Sequence, residues 1–199
     1  MAANPPRAAL VALHYQNDVL HPEGKIRVGL SDDSTVRGAV IAAAEALLRG
    51  ARQRDWPIVH VRIAFRPDFA DLLANAPIFR NVAAARAVVE GSWGAEFYAS
   101  LAPDLGRTRE FVVGHRRINA FYGSALEEML RIAGAERLLI AGVATHSVVE
   151  STVRHAVDMG YPVTVAADAC ASAQAAEHEA SLHSMRLIAE VARGEAVFG

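Results

Sequence analysis

The stretch that most constrains this chain is LLIAGVATHSVVEST, Leu138–Thr152. Its four leading apolar residues, Leu138–Ala141, are bounded by Gly142 and are too few for a helix. A run of that kind reads as a strand covered on both faces. Thr145 and Ser147 follow, residue types whose oxygens accept the free first N–H groups of a helix. A strand that turns tightly into a helix gathers backbone donors and a positive dipole end, which suits an anionic ligand or transition state. The pattern recurs along the chain. Ala8–Leu13, Ile58–Val61, Phe111–Val113 and Tyr161–Ala166 are further short apolar runs, and Ala196–Phe198 reads as a short edge strand. Between them the spacing predicts a long helix from Ser31 or Asp32 to about Arg54, one over Ser124–Ala133 stopped by Gly134, one ending near Met159, and a last over about 175–193. Strands alternating with helices predict an α/β fold, a parallel sheet with helices on both faces.

With 199 residues, 52% of them apolar, the chain has material for one core, so residues 1–199 are expected to form a single domain behind an N-terminal tail, 1–7. Residues 64–108 are irregular, with Pro67, Pro77, Pro103, Gly91 and Gly94 among aromatics. Long loops in compact domains often serve as lids, and this one is read as the substrate loop, with short helices near 68–75 and 94–102. A net charge of −2 gives no electrostatic case for nucleic acid or an acidic membrane surface. No apolar run reaches spanning length, and MAANPPRAAL lacks the apolar core of a secretory signal, so a cytoplasmic protein without membrane contact is expected. The single Cys170 excludes an internal disulfide. No glycine-rich phosphate loop is present, which argues against nucleotide binding.

In such a sheet, ligands sit beyond the carboxyl ends of the strands. Three polar clusters fall there, His14–Asp18, His115–Asn119 and Thr145–Glu150, and each brings a histidine. His14, His115 and His146 are therefore the candidate catalytic residues, since imidazole titrates near neutral pH and serves as acid or base. The same trio is also a chemically sensible ligand set for zinc, an alternative to a site that needs no cofactor. Arg116, with Arg117, Arg62 and Arg66 as companions, is a candidate carboxylate clamp. Trp93 and Phe121 are candidates to line an apolar pocket. His60, His155, His178 and His183 read as structural or exposed, and Glu150–Arg154 as an i,i+4 helix pair.

The segments LVALHYQND, PIVHVR, EGSWGAEF, VVGHRRINAFYGSALEEMLR and LLIAGVATHSVVESTVRHAVDMGYPVTVAADACAS together resemble the isochorismatase-like (cysteine hydrolase) superfamily. That superfamily also contains nicotinamidases and N-carbamoylsarcosine amidases, and the resemblance runs over nearly the whole chain. It implies a three-layer, Rossmann-like sandwich around a six-stranded parallel sheet. It implies a non-proline cis peptide, by position Val143–Ala144, with the backbone N–H groups of Ala144 and Val148 forming an oxyanion hole. It implies that Gln16 and Asp18 support the substrate site, and that the protein is a homo-oligomer acting on a small molecule.

Three positions depart from the pattern. Where cysteine-type members carry Asp, Lys and a nucleophilic Cys, this chain has His14, His115 and Val148. Valine has no nucleophilic atom, so thiol acyl chemistry at that position is excluded. Cys170 matches a cysteine that the family often has after the fifth strand and reads as a small buried hydrophobe. Isochorismatases also lack the nucleophile, protonate a vinyl ether carbon with the Asp, and place a histidine where His146 stands. The expected function is a hydrolase or lyase of a small anionic or cyclic substrate that uses histidine acid–base chemistry. The alternative is a catalytically silent member kept for binding or assembly.

Overall fold

The computed structural model describes residues 7–26 and 34–198. Six strands, β1 (Ala8–Leu13), β2 (Ile58–Ile63), β3 (Glu110–His115), β4 (Arg137–Gly142), β5 (Val163–Ala166) and β6 (Glu190–Ala192), form one sheet in the order β3-β2-β1-β4-β5-β6. Every neighbouring pair is parallel. The helices are α1 (Asn17–Leu20), α2 (Ser34–Gln53), α3 (Pro77–Ala85), α4 (Leu126–Ile132), α5 (Glu150–Asp158) and α6 (Ala175–Met185). All six residues of β1 are buried, as a central strand covered on both faces requires. On α2 the buried residues Val40, Ala44, Leu47, Leu48 and Ala51 recur at helical spacing, which makes the apolar stripe that seats the helix. The strand order reverses between β1 and β4, and at such a switch point the carboxyl ends of the two strands leave a crevice. His14 follows β1 and Val143 follows β4, so both stand at that crevice.

Several local expectations are corrected. No helix forms at 68–75; the Asp68 and Asp71 carboxylates instead accept the N–H groups of Ala70 and Arg66, at 3.1 and 3.0 Å, and hold the segment in turns. The helix comes later, with Pro77 in its first turn, where a missing N–H costs nothing. The last helix stops at Met185, and 190–192 is a strand pairing Val191 with Val165. Residues 194–198 form a 3₁₀ turn, not the expected strand. Thr145 and Ser147 make no capping bond, because α5 is entered through a π-turn over Thr145–Val149. The Thr145 hydroxyl instead lies 2.8 Å from His178 Nδ1. The expected caps Ser31 and Asp32, and all of the tail except Arg7, lie outside the described residues. Among those residues, no helix is long and apolar enough to cross a membrane. His60 is structural: its Nε2 lies 3.1 Å from the buried Glu110 carboxylate, which also accepts from Arg52 at 2.7 Å.

Candidate active site

β1 delivers His14 in the left-handed region, at φ 56°. Its backbone is fixed there by His14 N–H donating to Val61 O at 2.9 Å and by Gln16 N–H donating to His14 O at 2.8 Å. β3 ends on His115. The two imidazoles meet directly, Nε2 to Nε2 at 2.5 Å, although 101 residues separate them in sequence. On its other side, His115 Nδ1 lies 3.3 Å from Asn119 O. A carbonyl only accepts, so that nitrogen carries the proton and His115 Nε2 is bare. The bridging proton therefore belongs to His14 Nε2, which leaves His14 Nδ1 as the vacant base position of the pair. No protein group bonds that nitrogen among the described residues.

Both rings are buried, His14 8% and His115 1% exposed. Burial, and then the neighbouring imidazole, hold His14 well below the usual histidine range. Burial pushes His115 down to about 4, against the pull of the Asn119 carbonyl. Near neutral pH the pair is thus uncharged, and the two rings are joined through the single proton between their Nε2 atoms.

β4 approaches β1 closely at its end. A Cβ on Gly142 would lie 2.3 Å from Leu13 O, so only glycine fits without a shift. The next peptide bond, Val143–Ala144, is cis. Val143 N–H donates to Leu13 O at 3.2 Å and Thr145 N–H to Ala171 O at 2.8 Å, whereas the Ala144 N–H between them donates to no protein acceptor among the described residues. His146 Nδ1 lies 2.7 Å from Ser172 Oγ and 3.7 Å from Glu177 Oε2, so its ring is held by Nδ1 and its Nε2 is left over.

These groups border a cavity of about 800 Å³. His14, Ala144, His146 and Val148 line it, and His115 sits behind His14 without lining it. The other candidates lie elsewhere. Asp18 is committed to the fold, its carboxylate accepting Lys25 N–H at 3.1 Å and Val88 N–H at 2.6 Å. Trp93 packs edge-on against His21, centroids 4.9 Å apart. Arg116 Nε donates to Asp71 at 2.5 Å. Phe121 stacks on His155, centroids 4.9 Å apart and 16° from parallel. None of these four lines the cavity.

Sequence reasoning missed Lys25, Ser147 and the α3 wall, and took Arg117 only as a companion of Arg116; all four line the cavity. The signal for α3 was present: Pro77 opens it, and Phe79 and Val82 stand three apart on one buried face. The three-histidine metal alternative does not assemble. Among the described residues no group of three His, Cys, Asp or Glu side chains is placed to hold an ion. Two nitrogens on one tetrahedral zinc stand roughly 3.3 Å apart, whereas the His14 and His115 nitrogens are 2.5 Å apart. Cys170 is no substitute nucleophile, because burial pushes its thiol up to about 12.

The family model for the isochorismatase domain matches residues 8–196. The chain is 29% identical over 180 residues to YecD, an isochorismatase family protein of Escherichia coli O157:H7, covering 90% of this chain and 88% of that one. It is 28% identical over 184 residues to the ureidoacrylate amidohydrolase of Methylobacterium radiotolerans, covering 85% of this chain and 69% of that one. Among solved structures, an isochorismatase family protein from Desulfovibrio vulgaris superposes with a TM-score of 0.84 at 26% identity, over 97% of each chain.

Proposed function

The chain belongs to the isochorismatase family, and from that membership we propose that it is a hydrolase of a small anionic or cyclic substrate, worked by histidine acid–base chemistry and not by a cysteine nucleophile. The observation that carries the reading is the direct, buried His14–His115 pair at the edge of an open cavity. By resemblance these two residues, with Val148, replace the Asp, Lys and Cys of cysteine-type members. The replacement is a working acid–base unit and not a loss of polarity. An amide is the substrate class favoured by the likeness to an amidohydrolase.

The steps follow from the atoms available. Water attacks the substrate carbonyl carbon and passes its proton to His14 Nδ1, the vacant base position. The charge gained is spread by moving the bridging proton from His14 Nε2 to His115 Nε2, while His115 keeps its Nδ1–H on Asn119 O. The oxyanion that forms is received by the Ala144 N–H, which has no protein acceptor among the described residues. Collapse breaks the C–N bond. The leaving nitrogen takes the proton back from the charged pair, which restores the neutral rings and gives an amine and a carboxylic acid that ionises to a carboxylate by releasing its proton to water. Val148 makes this direct attack by water and excludes a thioester. The silent alternative would be favoured by a site filled with side chains; an open cavity of about 800 Å³ favours catalysis.

The test is a screen of amides, ureas, vinyl ethers and carboxylates, followed by variants at the pair. His14→Asn keeps a side chain that tolerates the left-handed backbone. His14→Asn and His115→Asn are each expected to lower kcat on the substrate found by at least about 100-fold with the fold intact. Wild-type turnover in both would refute the mechanism, and no turnover of any compound by the wild-type protein would favour the silent alternative.

A further inference from the structure

The walls of the cavity are chemically divided. Ile63, Phe79, Val82 and Ile118 present apolar surface, and no Asp or Glu lines it among the described residues. Among those residues its full cations are Lys25 and Arg117. The Arg117 guanidinium lies 4.0 Å from the centre of the Phe79 ring. It donates to Leu73 O at 3.1 Å and to Asn75 Oδ1 at 2.9 Å, both neutral acceptors. Lys25 Nζ donates to the Arg86 carbonyl at 3.0 Å, again not to a carboxylate. The neighbouring arginines differ. Arg116 is paired with Asp71, Arg66 with Asp68 and Arg62 with Glu90. Among the described residues neither charge is paired with a carboxylate, and both border the cavity. The contacts of Arg117 hold its plane still while leaving further N–H donors of its fork unused.

We propose that the ligand of this cavity is an amphiphilic monoanion, a carboxylate whose charged end is held by Arg117 with Lys25 as the second cation, and whose apolar body lies against Ile63, Phe79 and Val82. The proposal deepens the hydrolase reading and rests on it for the bond that is cut: a carboxylate held at Arg117 fixes one end of the substrate and leaves the scissile group for His14 and Ala144. Recognition of the anion itself does not depend on turnover. Apolar surroundings strengthen a charge-assisted pair, and the apolar walls discriminate against a small anion with no body.

Calorimetry with matched probes tests this. For the wild-type protein, 2-naphthoate is expected to bind at least about tenfold more tightly than its neutral isostere 2-naphthamide, with acetate far weaker than either. Arg117→Gln should remove the preference for the anion and leave 2-naphthamide binding in place. Because Arg117 also braces the α3 wall, Lys25→Gln provides a second reading: weaker 2-naphthoate binding by a smaller factor, and unchanged 2-naphthamide binding. Equal affinity of the two probes for the wild-type protein, no binding of either, or a preference that survives Arg117→Gln would overturn the proposal. The two readings fail separately. Anion preference without hydrolysis of any amide sinks the hydrolase and leaves the anion site. Hydrolysis through His14 that treats charged and neutral amides alike sinks the anion site and leaves the hydrolase.

Discussion

His14 and His115 couple catalysis to stability through burial. Each has a native pKa below its unfolded value near 6.5, and His115 is at about 4. Above about pH 6.5 both rings are neutral in either state and burial exacts no protonation cost. Between about 6.5 and 4 the unfolded chain binds protons that the native chain refuses, so stability falls as pH falls through that window. His115 alone accounts for roughly 3 kcal/mol at the bottom of it. Urea unfolding at about pH 7 and about pH 5 should show a larger loss in the wild-type protein than in the His14→Asn/His115→Asn double variant, by at least the roughly 2 kcal/mol that His115 alone contributes over that interval. Equal losses would mean that the pair is not buried neutral. The convergence of histidines on the strand ends was legible in the sequence, because a strand delivers whatever follows its last apolar residue. Direct contact of two rings across β2 was not, since it depends on the register of β1, β2 and β3. Trp93, Arg116 and Phe121 lie off the cavity for a related reason: residue type marks them as capable of binding, but local partners such as Asp71 and the His155 ring hold them.

At the scale of elements, the junction from β4 through the π-turn to α5 sets the cavity floor. Its geometry depends on Gly142, where β4 runs against Leu13 of β1. Gly142→Ala places a methyl group 2.3 Å from a backbone oxygen and 2.5 Å from Leu13 Cβ, neither of them a flexible chain end. A destabilisation of roughly 1–3 kcal/mol is expected in thermal or urea unfolding. A variant as stable as the wild type would show that the strands separate freely there. The central strands were legible because continuous apolar runs bounded by glycine admit few readings. The end of the chain was not. Leu187, Ile188 and Val191 fit a helical stripe or a strand equally, and the ladder of Val191 beside Val165 decides for the strand.

At the scale of the whole molecule, strand order places the crevice, and the segment carrying α3 walls it. That wall is fastened to the residues after β3 by side chains: Arg116 to Asp71, and Arg117 to Leu73, Asn75 and the Phe79 ring. We expect this part of the irregular 64–108 stretch to move as the substrate wall. An exposed ion pair is worth about 0.2–1 kcal/mol, so Arg116→Ala should speed amide hydrogen exchange by up to about fivefold over 69–85 and leave β1 and β4 unchanged. Uniform exchange across both regions would contradict this. The most direct test of the histidine mechanism is a double-mutant cycle on kcat. If His14 and His115 work as one proton-sharing unit, the His14→Asn/His115→Asn enzyme is expected to be no slower than the slower single variant. Losses that multiply in the double variant, or single variants that turn over like the wild type, would contradict it.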